Sequence, residues 1–319
     1  MEKLFEIKNL NMRFPVTDGL TGNITGYIHA LNGINLDIKK NEILALAGES
    51  GSGKSTLGNC ILRLLEPSSG EVLFKGVNIL KKTKKELKSF RRAAQPVFQN
   101  PYMSLNPRMK IYDILKEPFI VHNIKEGADE RIIEVIKAAG LNEEILKQYP
   151  HEFSGGQRQR IAIARAVMLY PEFIAADEPV SALDVSIQAQ IINLLKDLRN
   201  RLNLSMLFIS HDLSVIKYIA DRTAVMYLGE IAETAPSEEF FKNCLHPYSQ
   251  ALLASVPMFS ERGITKKTVL EGAVPSPLNL PEGCKFAARC PRCMPECTKK
   301  TPELKEILPE HKVRCLLYE

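Results

Sequence analysis

The clearest chemistry in the sequence lies in Gly48-Glu49-Ser50-Gly51-Ser52-Gly53-Lys54-Ser55-Thr56, which has the spacing G-x-x-x-x-G-K-[ST]. Glycines let a backbone curl tightly enough for successive N–H groups to point at phosphate oxygens. Lys54 can then reach the β- and γ-phosphates of a triphosphate, and the Ser55 hydroxyl can ligate Mg²⁺. A second chemical signal stands at the far end of the chain. Five of the seven cysteines, Cys284, Cys290, Cys293, Cys297 and Cys315, follow residue 280 and point to a local site there.

A phosphate loop needs a strand before it and a helix after it. The apolar run Ile43-Leu44-Ala45-Leu46-Ala47 has strand length, and residues 56–65 carry apolar positions at helical spacing up to Pro67. A helix N-terminus adds its own positive field at the phosphates. Upstream, residues 4–14 alternate as a strand, 15–26 form a polar, Gly-rich turn region, and 29–39 form a second strand. A further short strand covers 71–75. This opening predicts antiparallel β-structure leading into an α/β core.

Downstream, Gln95-Pro96-Val97-Phe98-Gln99 closes a strand, and 110–149 reads as mainly helical, most clearly over 130–140. A helix follows through 161–169. Strands at 173–176, 205–209 and 223–228 alternate with helices at 186–202 and 215–220. Repeated strand-then-helix units predict a mostly parallel sheet covered by helices.

Composition narrows the classes. At 319 residues, 45% hydrophobic and 25% charged, the chain suits a large globular domain with an appendage. No apolar stretch approaches the roughly 20 residues that span a bilayer. The segment Met1-Glu2-Lys3-Leu4-Phe5-Glu6-Ile7 lacks the apolar core of a signal peptide, so a cytosolic chain with reduced thiols is expected. A net charge of +5 does not argue for nucleic acid. The basic runs 81–85 and Arg91-Arg92 read as solvated helix faces. Cys60 and Cys244 read as ordinary packed residues.

Taken in order, these stretches resemble the nucleotide-binding subunit of an ABC transporter over residues 4–258. The resemblance narrows to the ATPase of a bacterial oligopeptide/dipeptide importer. It rests on Tyr102-Met103-Ser104-Leu105-Asn106-Pro107-Arg108-Met109, on the run from Asp177-Glu178-Pro179 to Gln190, and on His246-Pro247-Tyr248-Ser249-Gln250-Ala251-Leu252-Leu253. Of the two paired ATPases it looks more like the F-type, from Ser55-Thr56-Leu57-Gly58 and Leu64-Leu65-Glu66-Pro67-Ser68-Ser69-Gly70. The implied fold is α/β: a P-loop NTPase with a RecA-like parallel-sheet core, an antiparallel β subdomain and a helical subdomain at about 100–165. The nucleotide-binding domain would span 1–258, and a small irregular, Cys-rich domain 259–319.

The resemblance also implies roles. Asp177 would hold hydrated Mg²⁺ opposite Ser55, and Glu178 would orient or deprotonate the attacking water, because phosphoryl transfer depends mostly on positioning and charge stabilisation. Gln99 matches the Q-loop, reaching Mg²⁺ and water, and His211 matches the switch histidine. Phe14 matches the aromatic that stacks on adenine, with Tyr27 as the alternative. Ser154-Gly155-Gly156-Gln157 is a second glycine-and-hydroxyl segment at a helix N-terminus, a ready anion site. In the family it closes on ATP held by a partner's phosphate loop in a head-to-tail dimer, with Asp184 at the same interface. Phe153 stands where Leu is usual.

In peptide-importer ATPases the cysteines matching Cys284, Cys290, Cys297 and Cys315 bind a [4Fe–4S] cluster, four thiolates being a suitable ligand set. Cys293 could replace Cys297, and a Zn²⁺ site or free thiols are the alternatives. A structural role fits a small, Pro-rich region. The expected function is hydrolysis of ATP to drive peptide import, on the inner face of the cell membrane. The expected partners are a second ATPase (identical or a paralogue), two membrane permease subunits and, indirectly, an extracellular peptide-binding protein. Another cargo such as nickel is the alternative. A DNA-repair ATPase of the same class is disfavoured, because no long insertion separates the motifs and the basic patches are too small for nucleic acid.

Overall fold

The computed structural model describes residues 2–19, 22–255 and 272–319, with backbone alone at 259–260 and 263–264. The boundary expected at 258/259 lies outside the described residues. Strands β1 (Lys3–Thr17) and β2 (Ile24–Lys39) form a long antiparallel hairpin, and β4 (Ser69–Phe74) and β5 (Val77–Asn78) extend it in the order β2-β1-β4-β5. The second sheet takes its central strand, β3 (Ile43–Ala47), from between them in sequence. Strands β6 (Ala94–Val97), β7 (Phe173–Asp177), β8 (Ser205–Ile209) and β9 (Arg222–Tyr227) run parallel with it, in the order β9-β3-β8-β7-β6. β3 and β8 are buried along their whole length, which explains runs of apolar residues without alternation.

The turn region expected at 15–26 is shorter than its composition suggests. Pairing continues through Phe14↔Ile28, Pro15↔Tyr27 and Val16↔Gly26 to Thr17↔Ile24. Cross-strand hydrogen bonding overrides the local polarity of this segment. Helix α1 (Lys54–Ile61) is also shorter than predicted. Leu62 N–H donates to the Gly58 carbonyl and Arg63 N–H to that of Cys60, and Arg63 adopts φ 50°, a left-handed conformation that stops the helix well before Pro67.

Between β6 and β7 the chain is helical. After α2 (Leu87–Ala93), which precedes β6, come α3 (Pro101–Ser104), α4 (Ile111–Val121), α5 (Ala128–Ala138) and α6 (Gly155–Ala166). The stretch 110–149 is mainly helical, as expected, but broken where Asn123, Gly127 and Gly140 take positive φ, and beyond Gly140 are only short 3₁₀ turns. Ile114, Leu115, Ile132 and Ile136 of α4 and α5 pack with Ile161 and Val167 and reach Met206 and Phe208 of the sheet. A separate core joins the two sheets. Phe5 lies 4.6 Å from Phe173 and 5.0 Å from Phe74 between ring centroids, and Phe90 packs edge-on against both Phe5 and Phe74.

The rest of the chain completes the parallel sheet on one edge. Helices α7 (Val185–Leu202) and α8 (Leu213–Ile219) precede β8 and β9, and β10 (Glu230–Pro236) returns antiparallel to β9. Helices α9 (Ser237–Asn243) and α10 (Pro247–Ala254) follow. The backbone pair β11 (Phe259–Ser260) and β12 (Gly263–Ile264) is next, then β13 (Lys305–Leu308) and β14 (His311–Val313).

These last strands correct the picture of a wholly irregular C-terminal appendage. β14 pairs with β10 through Glu233↔Val313 and Thr234↔Lys312, so among the described residues the main sheet has eight strands in the order β13-β14-β10-β9-β3-β8-β7-β6. The seam is held by a fully buried contact. Glu233 accepts from the backbone N–H of Leu245 and His246, and its Oε1 lies 2.7 Å from His311 Nε2. Both side chains are 0% exposed. Removing the imidazole leaves a buried carboxylate oxygen short of a partner, which costs about 3 kcal/mol. His311→Ala is expected to lower the unfolding free energy by about that amount, measured by denaturant titration of the full chain; an unchanged midpoint would show that the seam is held elsewhere.

Candidate functional site

The site forms at the C-terminal ends of neighbouring parallel strands, the usual ligand crevice of an open α/β sheet. Register explains the convergence. Leu46 of β3 and Asp177 of β7 both pair with Ile209 of β8, and Val97 of β6 pairs with Ala176. The loops leaving these four strand ends carry the phosphate loop, Glu178, His211 and Gln99. They meet in space although 122 residues separate Ser55 from Asp177 and 79 separate Gln99 from Glu178. Local sequence alone gives no such proximity.

Within the phosphate loop, Lys54 opens α1 and is 5% exposed. Its Nζ donates to the carbonyls of Gly48 (2.8 Å) and Glu49 (2.9 Å). Burial pulls its pKa below the ordinary lysine value, and the nearby Glu178, Asp177 and Glu49 charges oppose that shift. Gly53 takes φ 102°, and a Cβ there would come within 2.4 Å of Ala30 O, so neither the conformation nor the space admits a side chain. Ser55 Oγ donates to Asp177 Oδ1 at 3.0 Å. Desolvation raises the Asp177 pKa, with the Ser55 hydrogen bond acting against it. Two hard oxygens thus stand side by side where the loop meets β7, a donor set suited to Mg²⁺.

Glu178 is strained. It is the first residue past β7 and adopts φ 44°, a left-handed conformation that a glutamate rarely takes. Its N–H donates to Ile209 O at 3.0 Å, and its carbonyl accepts from Ser181. The turn holds the carboxylate between two partners. Gln99 Nε2 donates to Oε2 at 2.9 Å, and His211 Nδ1 lies 3.1 Å from Oε1. Gln99 is therefore tied to the acid, and not to Ser55 or Asp177. A carboxylate held this way beside a bound phosphate can orient or deprotonate a water.

These groups border a cavity of about 690 Å³ lined by Ser50, Gly51, Gly53, Lys54, Ser55, Thr56, Gln99, Glu178 and His211, with Phe14, Ile28, Ala30 and Pro277 at its apolar side. Phe14 lines the cavity and Tyr27 does not; the two alternate along the paired strands, so their side chains diverge. Gly48 and Ser52 belong to the loop without lining the cavity. Ile28, Ala30 and Pro277 escaped the sequence reading. The first two follow the period-2 spacing of β2 and were legible in principle. Pro277 was not: it arrives from the far end of the chain, where its carbonyl accepts from His29 N–H at 3.0 Å.

The second glycine segment is elsewhere. Ser154 caps α6 in a reciprocal capping box with Gln157, and Asp184 caps α7 by accepting from Ile187 N–H at 3.0 Å. None of Ser154, Gly155, Gly156, Gln157 or Asp184 lines the cavity. Ser154 is exposed, whereas Gly156 is buried where α6 crosses α7.

At the C-terminus, Cys284, Cys290, Cys297 and Cys315 line one small cavity with Phe286, Arg292 and Leu316. Cys293 is exposed and off it. Burial pushes the Cys284 thiol up to about 11, and those of Cys60 and Cys244 up to about 12. Among the described residues, no group of three or more His, Cys, Asp or Glu side chains is placed to hold a metal ion.

A phosphate loop on a parallel sheet, with an acid and a histidine at the next strand ends, defines a P-loop ATPase. Residues 31–181 match the ABC transporter family, and 232–297 match the oligopeptide/dipeptide transporter C-terminal region. The chain is 49% identical to the oligopeptide transport ATP-binding protein AppF of Bacillus subtilis (strain 168), covering 99% of this chain and 98% of AppF. It is 46% identical to the dipeptide transport ATP-binding protein DppF of Haemophilus influenzae, covering 93% and 91%. Its structure is similar to the dimeric, post-hydrolysis ATP-binding cassette MJ0796 bound to ADP and Pi (TM-score 0.66, 31% identity, 73% of this chain and 98% of that one). The chain belongs to the ABC transporter ATPases, among those carrying the oligopeptide/dipeptide transporter C-terminal region.

One contact here can be tested by stability. A Cβ on Gly156 would lie 2.5 Å from Ile187 Cγ2, a stiff branch of a β-branched residue. Gly156→Ala is expected to cost about 1–2 kcal/mol by overpacking. In the double variant with Ile187→Ala the costs should fall short of additive, because the clash is gone. Additive denaturation midpoints would show that the helices adjust freely.

Proposed function

We propose that this chain is the ATP-hydrolysing subunit that energises import of di- and oligopeptides across the cytoplasmic membrane. The observation that carries the reading is the pairing of an ATPase site with the oligopeptide/dipeptide C-terminal region in one chain. Names of relatives along nearly the full length support it. ATP enters with adenine against Phe14 and its phosphates in the loop from Gly48 to Thr56, where Lys54 exchanges backbone carbonyls for phosphate oxygens. Ser55 and Asp177, with Gln99, would hold Mg²⁺, which would neutralise charge on the β- and γ-phosphates. Glu178 orients and deprotonates the water, and His211 steadies Glu178 and senses the γ-phosphate.

The signature segment Ser154 to Gln157, away from the chain's own cavity and exposed at Ser154, serves a neighbour. It caps ATP on a second ATPase subunit, identical or a paralogue, in a head-to-tail dimer with Asp184 at the interface. The dimeric state named for the MJ0796 structure supports this arrangement. Closure would drive two membrane permease subunits, with an extracellular peptide-binding protein delivering cargo. No helix among the described residues is long and apolar enough to cross a membrane, in keeping with a peripheral subunit on the inner face.

Glu178→Gln is expected to retain ATP in a closed dimer while hydrolysis falls by at least ~100-fold, the scale of a lost general base. Hydrolysis at the normal rate would remove Glu178 from the mechanism.

We assign Cys284, Cys290, Cys297 and Cys315 to a structural [4Fe–4S] cluster, with Zn²⁺ as the alternative occupant. Their common cavity and soft-donor chemistry support the set, and the exposure of Cys293 argues against it as a ligand. Protein purified without oxygen should contain iron and sulfide in equal amounts. Cys284→Ser should lose both, and Cys293→Ser should keep both. Zinc without sulfide would rule the cluster out.

A further inference from the structure

Glu49 is the second residue of the phosphate loop, and its backbone carbonyl holds the Lys54 ammonium at 2.9 Å. Two groups from later in the chain, Arg289 and Tyr248, fasten Glu49, and a third, Tyr227, contacts Arg289. Arg289 Nη1 donates to Oε2 at 2.7 Å and Nη2 to Oε1 at 3.0 Å, a two-pronged pair in which the Arg289 side chain is only 5% exposed. Tyr248 Oη accepts from the Glu49 backbone N–H at 2.9 Å. Tyr227 Oη lies 3.4 Å from Arg289 Nη1. The aromatic ring of Phe286, three residues before Arg289, packs 5.3 Å from both tyrosine rings.

Arg289 is followed directly by Cys290, one of the thiols on the cysteine cavity. One short path therefore runs from the cysteine region through the Arg289 guanidinium and the Glu49 carboxylate to the carbonyl that positions Lys54. A bidentate guanidinium–carboxylate pair fixes orientation as well as distance, which a single point charge does not. Held at its side chain, its N–H and its carbonyl, Glu49 has little freedom to rotate, and the loop cannot relax outward without breaking the pair.

We infer that Arg289 is a positioning residue for the phosphate loop: the C-terminal region presets the loop for ATP by clamping Glu49. The inference rests on the assignment of the cavity to ATP, and Lys54→Ala tests that assignment separately. Arg289→Met removes the fork while keeping an apolar stem, and Glu49→Gln neutralises the other partner from the loop side.

The test is equilibrium binding of Mg-ATP to the full-length chain, together with kcat and KM for hydrolysis and the thermal unfolding midpoint without nucleotide. Each single variant should weaken ATP binding about ten-fold, raising KM in step while kcat at saturating ATP changes by less than about three-fold. The double variant should bind no worse than the worse single, because both remove one interaction. A role in stability alone would lower the midpoint and leave ATP affinity in the folded protein untouched. Wild-type affinity in folded Glu49→Gln overturns the proposal even where Arg289→Met does not fold, and so does a double variant whose losses multiply. ATP binding that survives Lys54→Ala would instead displace the ATP site itself; a site lost in Lys54→Ala but unaffected by Arg289→Met would displace only the clamp.

Discussion

The Lys54 ammonium, 5% exposed and cradled by the Gly48 and Glu49 carbonyls, is the interaction on which the surrounding architecture depends. A buried cation is tolerated only when its protons are satisfied. Here the Gly48 and Glu49 backbone oxygens satisfy them; in the proposed ATP complex phosphate oxygens would take over. Keeping those carbonyls in place requires glycine at position 53, the start of α1 at Lys54, and β3 buried in the middle of a parallel sheet to hold the loop still. The C-terminal region adds its own hold through Tyr248 and Arg289. The ABC core and the region beyond it are therefore a continuous structure around the phosphate loop, and β14 on the edge of the main sheet makes the same point in the backbone.

A second constraint is the strained backbone at Glu178. A left-handed glutamate persists only where its surroundings over-determine it. Here the Ile209 carbonyl, Ser181, Gln99 and His211 do so. The strain turns the chain sharply off β7 and points the carboxylate along the sheet edge to the histidine at the end of β8. Asp177, one residue earlier, stays in the strand and faces Ser55. Adjacent acids thus acquire different partners because the backbone turns between them.

How much of this was legible follows from what is local. The phosphate loop, its strand and its helix could be read directly, because glycine freedom, apolar runs and a helix start are properties of neighbouring residues. The parallel sheet followed from repeated units. The contact between Gln99 and Glu178, 79 residues apart, depends on strand order, which no local pattern encodes; the family resemblance placed Gln99 against Mg²⁺ and water and did not supply this pairing. Early helix stops at Arg63 and Asn123 were not read because both take the left-handed conformation without being glycine. The long β1–β2 pairing overrode a turn-like composition. The Arg289–Glu49 pair joins residues 240 apart and carries no sequence signal at all.

The central claim is that this chain holds half of each ATP site it helps to form, its signature segment serving a neighbour's nucleotide. Ser154 is exposed and lies off the chain's own cavity, so Ser154→Arg isolates that claim. The decisive measurement compares ATP binding and hydrolysis by this variant in the assembled ATPase pair. The account predicts that the variant chain still binds ATP with unchanged affinity while hydrolysis at the neighbouring phosphate loop is lost. Hydrolysis at the unaltered rate would mean that each chain's cavity is complete on its own, and would contradict it.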